Sequence, residues 1–401
     1  MIFNTSWFLL FFLAFYAVLW VIPTPRFRFF YVLACSALFH YHFAGPAGIK
    51  PIIAMAVITF FLALWMVRYP AGSAAKKRIF ILALLVPVLG LLYYKYQFLL
   101  LTSLGMGLGG GAGDWIKSQA RQPALPLAIS FFTFEFVHYL TDVYHGHGAP
   151  VRNPFKFGIF CIFFPSIVSG PIKRFQPFLA QLEQGLARPP VQKAALGLAQ
   201  VLLGFFKKLV IADNATTLIH LLEKRTDLTF GPVCLLLALL SVRILFDFSG
   251  YSDIAIGLGK MIGLDLPANF NFPYIARSIT EFWRRWHMSL SSWIRDYVYI
   301  PLGGNRYGLV RKFLNLMVTM FVCGLWHGPS WHFGIWGLYH GAGLALHNAW
   351  ENSALGRKWG SFTFSRWIGI GVTNVFVAYG WLLFFYPLEE VGKITRHLFL
   401  L

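Results

Sequence analysis

The 401-residue chain is short of charge: Asp, Glu, Lys and Arg make up only 12% of it, where soluble domains carry about a quarter. Acids are the scarcest, 15 against 34 bases, which leaves a net charge of +19. With 57% hydrophobic residues and a mean hydropathy of +0.62, this deficit excludes an ordinary soluble globule. It points to a polytopic membrane protein, a helix bundle whose solvent is lipid. The bases cluster between apolar runs, as the positive-inside rule expects. They are assigned first to topology and anionic headgroups, then to a phosphorylated substrate; nucleic acid is not an expected partner.

Cysteine is also scarce. Cys35, Cys161, Cys234 and Cys323 stand singly in apolar runs, which argues against a disulfide framework, a zinc site or a thiol nucleophile, and they read as small buried packing residues. No Pro/Ser linker and no internal repeat interrupts the chain, so a single domain is expected over 1–401. Ile2–Ile22 has no basic residue before it and is too long for a signal-peptide core, so it reads as a retained first membrane helix. There is no GxSxG elbow, no HExxH and no GxxxxGK[ST], nor a GxGxxG following a strand. The glycine-rich stretch GMGLGGGAGDW within Gly105–Pro123 therefore reads as a flexible external loop.

What the chain does have is apolar length. Runs long enough to span, or nearly so, lie at about 3–22, 29–44, 51–67, 79–101, 125–143, 157–172, 194–212, 230–248, 313–327, 331–348 and 366–386, roughly eleven segments. Numbered from the N-terminus, the odd connections among the first five carry Arg26, Arg28, Arg68, Lys76, Lys77, Arg78, Arg152 and Lys156. The even ones carry Lys50, Lys117 and Arg121. That asymmetry puts the N-terminus outside and, with an odd number of spans, the C-terminus inside, where Lys393 and Arg396 agree.

Ionisable residues in apolar surroundings are the first candidates for chemistry. Glu135 and His138, and Asp247 and Asp253, suit helix-to-helix hydrogen bonds that fix packing. Two other stretches are more pointed. Arg277–Arg306, RSITEFWRRWHMSLSSWIRDYVYIPLGGNR, is the densest run of charge and aromatic rings in the chain. Read as a continuous helix, it gathers Trp283, Trp286, Leu290, Trp293, Ile294 and Tyr297 on one face. His287 falls among those rings, while Arg284 and Arg295 flank them and Arg285 and Asp296 lie opposite. In Met317–His347, Gly328-Pro329 breaks an apolar helix just after His327. Gly324 and Gly328 leave room for a ligand or a neighbouring backbone, and Gly337-xxx-Gly341 is a packing pattern beside His340. His332 points about 140° from His327 on a continuous helix, so the two do not form a metal pair. A neutral imidazole in a dry site suits general-base attack on a hydroxyl. Direct attack by a bound hydroxyl on an activated acyl group therefore fits better than a protein acyl intermediate.

SITEFWRRWHMSLSSWIRDYVYIPLGGNR and CGLWHGPSWHFGIWGLYHG resemble the membrane-bound O-acyltransferase family, in its bacterial branch of alginate O-acetyltransferases and teichoic-acid D-alanyltransferases. LPLAISFFTFEFVHYLTDVYHG (125–146), FFPSIVSGPIKRFQPFLAQL (163–182), GFFKKLVIADNATTL (204–218) and FDFSGYSDIAIGLGKMIGLDLPANFNFPY (246–274) fit the same branch. The resemblance implies an all-α membrane fold with interfacial or re-entrant helices around a central funnel or tunnel. It divides the chain into variable N-terminal helices (1–124), a catalytic core (125–348) and a C-terminal helix and tail (349–401). It implies that His327 is catalytic and that His287 assists. It also implies a thioester donor, acetyl-coenzyme A or an acylated acidic carrier protein, arriving from the cytoplasm, with no permanently bound cofactor. The acceptor would be an exported polysaccharide or a relay protein, with an esterase-like partner on the outer side and the bacterial inner membrane as the location. Beside these expectations, Arg277, Arg284, Arg285, Arg295 and Arg306 suit the donor's phosphate. Asn269, Trp286, Trp326, Asp296 and His340 complete the candidate substrate site. D-alanyl transfer is the second reading; a transporter or channel is the alternative of another class.

Overall fold

The computed structural model describes residues 2–168, 170–225, 229–359 and 364–399. Among these residues every regular element is helical. The chain forms two compact units. One comprises Met1–Val201 with Ile254–Pro267, the other Leu202–Asp253 with Ala268–Leu401.

The first unit opens with α1 (Ser6–Val21), α2 (Pro25–Met66) and α3 (Ala74–Leu91). Each starts where a hydroxyl caps a free backbone donor: Thr5 accepts from Phe8, Thr24 from Phe27 and Ser73 from Lys76. The runs at 29–44 and 51–67 are two helical stretches within α2 that meet at a kink at Gly45. Gly45 has φ 64° and is followed by Pro46, so a left-handed residue and a missing donor interrupt the helix there.

The stretch expected to be a loop is helical instead: α4 (Gln97–Leu108) and α5 (Gly110–Gln119) meet at Gly109, φ 62°. A Cβ on Gly105 would lie 2.6 Å from the carbonyl oxygen of Gly113. The glycines therefore let two helices touch; they do not loosen a loop.

α6 (Ile129–His145), α7 (Pro154–Ile162) and α8 (Phe175–Gly185) follow. α9 (Val191–Phe205) carries the chain past the boundary at Val201. The second unit takes up α10 (Asp213–Glu223), most of α11 (Phe230–Met261), α12 (Ile279–Arg285), α13 (Met288–Ile294), α14 (Gly308–His327), α15 (Trp331–Asn352), α16 (Ala354–Trp359), α17 (Ser365–Phe385) and α18 (Leu388–Phe399).

Six helical stretches among the described residues are long and apolar enough to cross a membrane: Pro25–Met66, Ala74–Leu108, Val191–Glu223, Phe230–Met261, Gly308–His327 and Ser365–Phe385. The chain is thus a multi-pass membrane protein. Ser6–Val21 and Pro154–Ser166 are apolar but shorter.

The candidate acids Glu135, Asp247 and Asp253 are paired. Asp253 meets Lys207 at 2.6 Å, and Lys208 bridges Asp213 and Asp247, each at 2.7 Å. Glu135 is joined to Lys173, and His138 Nδ1 lies 3.3 Å from the carbonyl of Phe134. The cysteines are all free thiols; Cys161 and Cys323 are buried, whereas Cys234 is exposed, contrary to its reading as a buried packing residue. It sits on the outer face of an apolar helix, where a thiol needs no protein neighbour.

The α14–α15 hairpin is closely packed. A Cβ on Gly324 would lie 2.1 Å from the carbonyl oxygen of Phe333, and one on Gly337 2.1 Å from that of Met320. At Gly328 the added carbon would meet the Phe333 ring at 2.2 Å. The room that these glycines leave is filled by the neighbouring helix rather than by a ligand.

Candidate active site

α12 begins at Ser278, whose hydroxyl accepts from the backbone N–H of Glu281, while the Glu281 carboxylate accepts from the backbone N–H of Arg277. The helix lasts two turns. It ends at Trp286, and His287 adopts φ 41°, ψ 54° before α13 starts at Met288. The continuous helix expected across Arg277–Arg306 is therefore broken at its histidine. A left-handed non-glycine residue costs about 1–3 kcal/mol and persists where its surroundings hold it.

Those surroundings are specific. The Asn269 side-chain oxygen lies 3.3 Å from His287 Nδ1, accepts from the Ser289 hydroxyl at 2.6 Å, and accepts from the Ser289 backbone N–H at 3.4 Å. Asn269 Nδ2 donates to the Ser252 hydroxyl at 3.0 Å. Phe248 packs edge-on to the His287 ring at 4.5 Å. His287 is 1% exposed, and its Nε2 has no hydrogen-bond partner among the described residues. Burial, and secondly the nearness of His327, hold its pKa well below the ordinary imidazole value.

His327 is the last residue of α14, placed there by Gly328-Pro329. Its half-buried ring sits among Trp326 (4.9 Å between centroids), Phe384 (5.0 Å) and Trp336 (5.3 Å). The Trp326 ring is also 6.0 Å from that of His287. One indole thus borders both imidazoles, although forty residues separate them along the chain.

Next to the chain segments that carry them opens a cleft of about 590 Å³, lined by neither imidazole. Its wall includes Met288, next in sequence to His287, and Cys323, one turn before His327. Arg284, Arg295 and Lys312 bring positive charge to it, against Glu351. Two buried polar atoms of its lining residues, the Trp283 indole N–H and the Thr319 hydroxyl, lack a hydrogen-bond partner among the described residues. An unmet buried donor costs about 1–3 kcal/mol, which a polar ligand in the cleft would recover by reaching these closed-off atoms.

The remaining candidates separate. Arg284 and Arg295 line the cleft, and Arg295 also pairs with Asp296 at 2.9 Å. Arg285 does not line it: it bonds the Glu281 carboxylate at 2.8 and 3.0 Å and the Asn271 carbonyl at 3.1 Å. Trp286 stacks into a cluster with Phe282 at 5.5 Å and Trp381 at 4.9 Å. His340 is 0% exposed, enclosed by Trp336 at 4.8 Å, Trp283 at 5.3 Å and Phe376 at 5.5 Å, with neither ring nitrogen hydrogen-bonded among the described residues. Lys312, Thr319 and Ser252 were not singled out from sequence. Only Ser252, between Tyr251 and Asp253 in FDFSGYSD, carried a signal, a hydroxyl in an otherwise apolar helix.

The family model described as MBOAT, membrane-bound O-acyltransferase family, matches residues 7–388. A probable alginate O-acetylase of Azotobacter vinelandii is 35% identical over 96% of this chain and 75% of its own length. A peptidoglycan O-acetyltransferase of Helicobacter pylori is 33% identical over 88% of this chain and 70% of its own. A teichoic acid D-alanyltransferase of Streptococcus thermophilus is 32% identical over 56% of this chain and 57% of its own.

Proposed function

We infer the reaction from a premise and a geometry: the chain belongs to the membrane-bound O-acyltransferase family, and two remote imidazoles flank one indole beside a basic cleft. The protein is a membrane O-acyltransferase. We propose that it moves an acetyl group from a thioester to a hydroxyl of an exported polysaccharide. The observation that carries the geometry is the convergence of His287 and His327 on Trp326. Acetyl transfer is favoured because the relatives named as O-acetylases and O-acetyltransferases align over most of this chain. D-alanyl transfer is the second reading, and the relative so named aligns over 56% of it. Family membership displaces the transporter alternative.

His327 takes the proton of the acceptor hydroxyl as its oxygen attacks the thioester carbonyl. The tetrahedral intermediate collapses, the carbon–sulfur bond breaks, and the thiolate leaves with the proton that His327 returns. The donor is acetyl-coenzyme A or an acylated carrier protein. Arg284, Arg295 and Lys312 suit its phosphate, and the amides of its pantetheine arm offer partners to Trp283 and Thr319. An acidic carrier protein would be steered by the same basic face. An esterase-like partner on the far side would receive or pass on the product. The proposed setting is the bacterial inner membrane, with roughly eleven crossings around a central funnel, the N-terminus outside and the C-terminus inside.

The test is purified protein with labelled acetyl-coenzyme A and an alginate oligosaccharide, reading free thiol and acetylated sugar. His327→Ala is expected to lower transfer by about two to four orders of magnitude. Near-normal transfer by a folded His327→Ala protein would remove His327 from the chemistry. Transfer from a D-alanylated carrier alone would replace the acetyl reading by the second one.

A further inference from the structure

We propose that Asn269 fixes His287 as the Nδ1–H tautomer, leaving its Nε2 as a hydrogen-bond acceptor turned to the polyhydroxyl substrate. This rests on the acyl-transfer reading above and gives His287 one role within it.

The assignment starts from the backbone N–H of Ser289, a group that only donates. It lies 3.4 Å from one atom of the Asn269 amide, and the Ser289 hydroxyl lies 2.6 Å from the same atom. That atom is therefore the amide oxygen, and the opposite end is the NH2, which donates to Ser252 at 3.0 Å. His287 Nδ1 lies 3.3 Å from the same oxygen. An amide oxygen only accepts, so Nδ1 is the nitrogen that carries the proton. A neutral imidazole holds one proton, and Nε2 keeps its lone pair. Nε2 is buried and meets no donor among the described residues.

Asn269 grips the turn twice. Its main-chain carbonyl accepts from the backbone N–H of Met288 at 2.9 Å, so side chain and main chain together hold His287 in its left-handed conformation. Phe248 and Trp326 set the plane of the ring.

The tautomer decides what His287 does. Nε2 without a proton cannot donate to an oxyanion; it accepts. The attacking hydroxyl gives its only proton to His327, so the donor to His287 Nε2 is a second hydroxyl of the acceptor. A sugar ring supplies one beside the first. Asn269 is then a positioning residue for acceptor recognition, acting through His287, and Ser252 positions Asn269.

The experiment is nitrogen NMR of the full chain labelled with 15N-histidine, the His287 signals being assigned by their loss in His287→Gln. The expected result is a protonated Nδ1 and an unprotonated Nε2. Asn269→Asp, which keeps an accepting oxygen, is expected to retain that signature; Asn269→Leu is expected to lose it and to raise the KM for an alginate oligosaccharide about tenfold with the KM for acetyl-coenzyme A unchanged. A protonated Nε2 in the unaltered chain overturns the proposal, as does a folded Asn269→Leu protein with the wild-type tautomer. The spectrum is read without turnover. Absence of acyl transfer with the expected tautomer would therefore count against the reaction and not against the role of Asn269.

Discussion

Glu135 and Lys173 form an ion pair almost wholly shut off from solvent, their side chains 8% and 1% exposed. Lys173 also lies over the rings of Phe160 and Phe178, at 4.8 and 5.5 Å from their centroids. Glu135, Phe160 and Phe178 are themselves buried side chains of the first unit, so the pair is assigned to packing. Removing one partner leaves a buried charge unmet and costs about 3–5 kcal/mol, whereas replacing both with apolar groups of similar volume is often neutral. Lys173→Met is therefore expected to lower the unfolding temperature in detergent markedly. Lys173→Met with Glu135→Leu should recover most of the loss. Failure of the double variant to improve on the single one would show that the pair does more than pack.

The arginines of α12 divide by their contacts, and kinetics should divide them in the same way. Arg284 lines the cleft, while Arg285 is spent on Glu281 and Asn271. Arg284→Gln with Lys312→Gln is expected to raise the KM for acetyl-coenzyme A by about tenfold or more, since a charge-assisted hydrogen bond contributes roughly 1.5–3 kcal/mol. A truncated acetyl thioester without phosphates should show no such change. Arg285→Gln should leave that KM alone and lower stability. Equal effects of the two substitutions on donor KM would contradict the division.

Much of this organisation was legible in the sequence. The break after His327 followed from Gly328-Pro329 because proline removes a donor at a fixed position. The hairpin contact followed from Gly337 and Gly341, because small residues in that spacing let backbones meet. The break at His287 was not legible. Nothing in FWRRWHMSL forbids helix, and the turn exists because Asn269, eighteen residues earlier, holds it from outside. The glycines of 105–113 misled for a related reason: glycine marks both flexible loops and close helix contacts, and only the facing backbone distinguishes the two. Arg284 and Arg285 differ by partners on other segments, which one helical wheel does not contain.

Burial of His287 makes a prediction about stability and pH. Its folded pKa lies well below the ordinary imidazole value, so the unfolded chain binds its proton more readily. Stability from this residue is then fully present above about pH 6.5, the unfolded value, and is lost as pH falls from there towards the folded value. His287→Gln keeps a polar group but does not titrate. The difference in unfolding temperature between the unaltered chain and this variant should therefore be constant above about pH 7 and shrink, or reverse in favour of the variant, between about pH 6 and 5. A pH-independent difference would mean that His287 is not shielded as its burial indicates.

The cleft's two unmet donors give a last prediction, and it separates binding from architecture. Thr319 is 5% exposed with its hydroxyl unpartnered, and it shares the cleft wall with Trp283, whose indole N–H is likewise unpartnered. If these atoms serve only the fold, replacing the hydroxyl by a methyl removes an unmet polar group and the protein gains stability, by about 1 kcal/mol or more. The same substitution in a ligand-binding wall leaves the ligand's polar group without its partner and weakens binding by a similar amount, about five- to tenfold. Thr319→Val is expected to do both: to raise the unfolding temperature of the empty protein and to raise the KM for acetyl-coenzyme A, with kcat little changed because the contact is made equally in ground and transition states. Thr319→Ser, which keeps the hydroxyl, should restore the KM. A stabilised Thr319→Val protein with unaltered donor KM would assign the hydroxyl to packing and place the pantetheine arm elsewhere in the cleft.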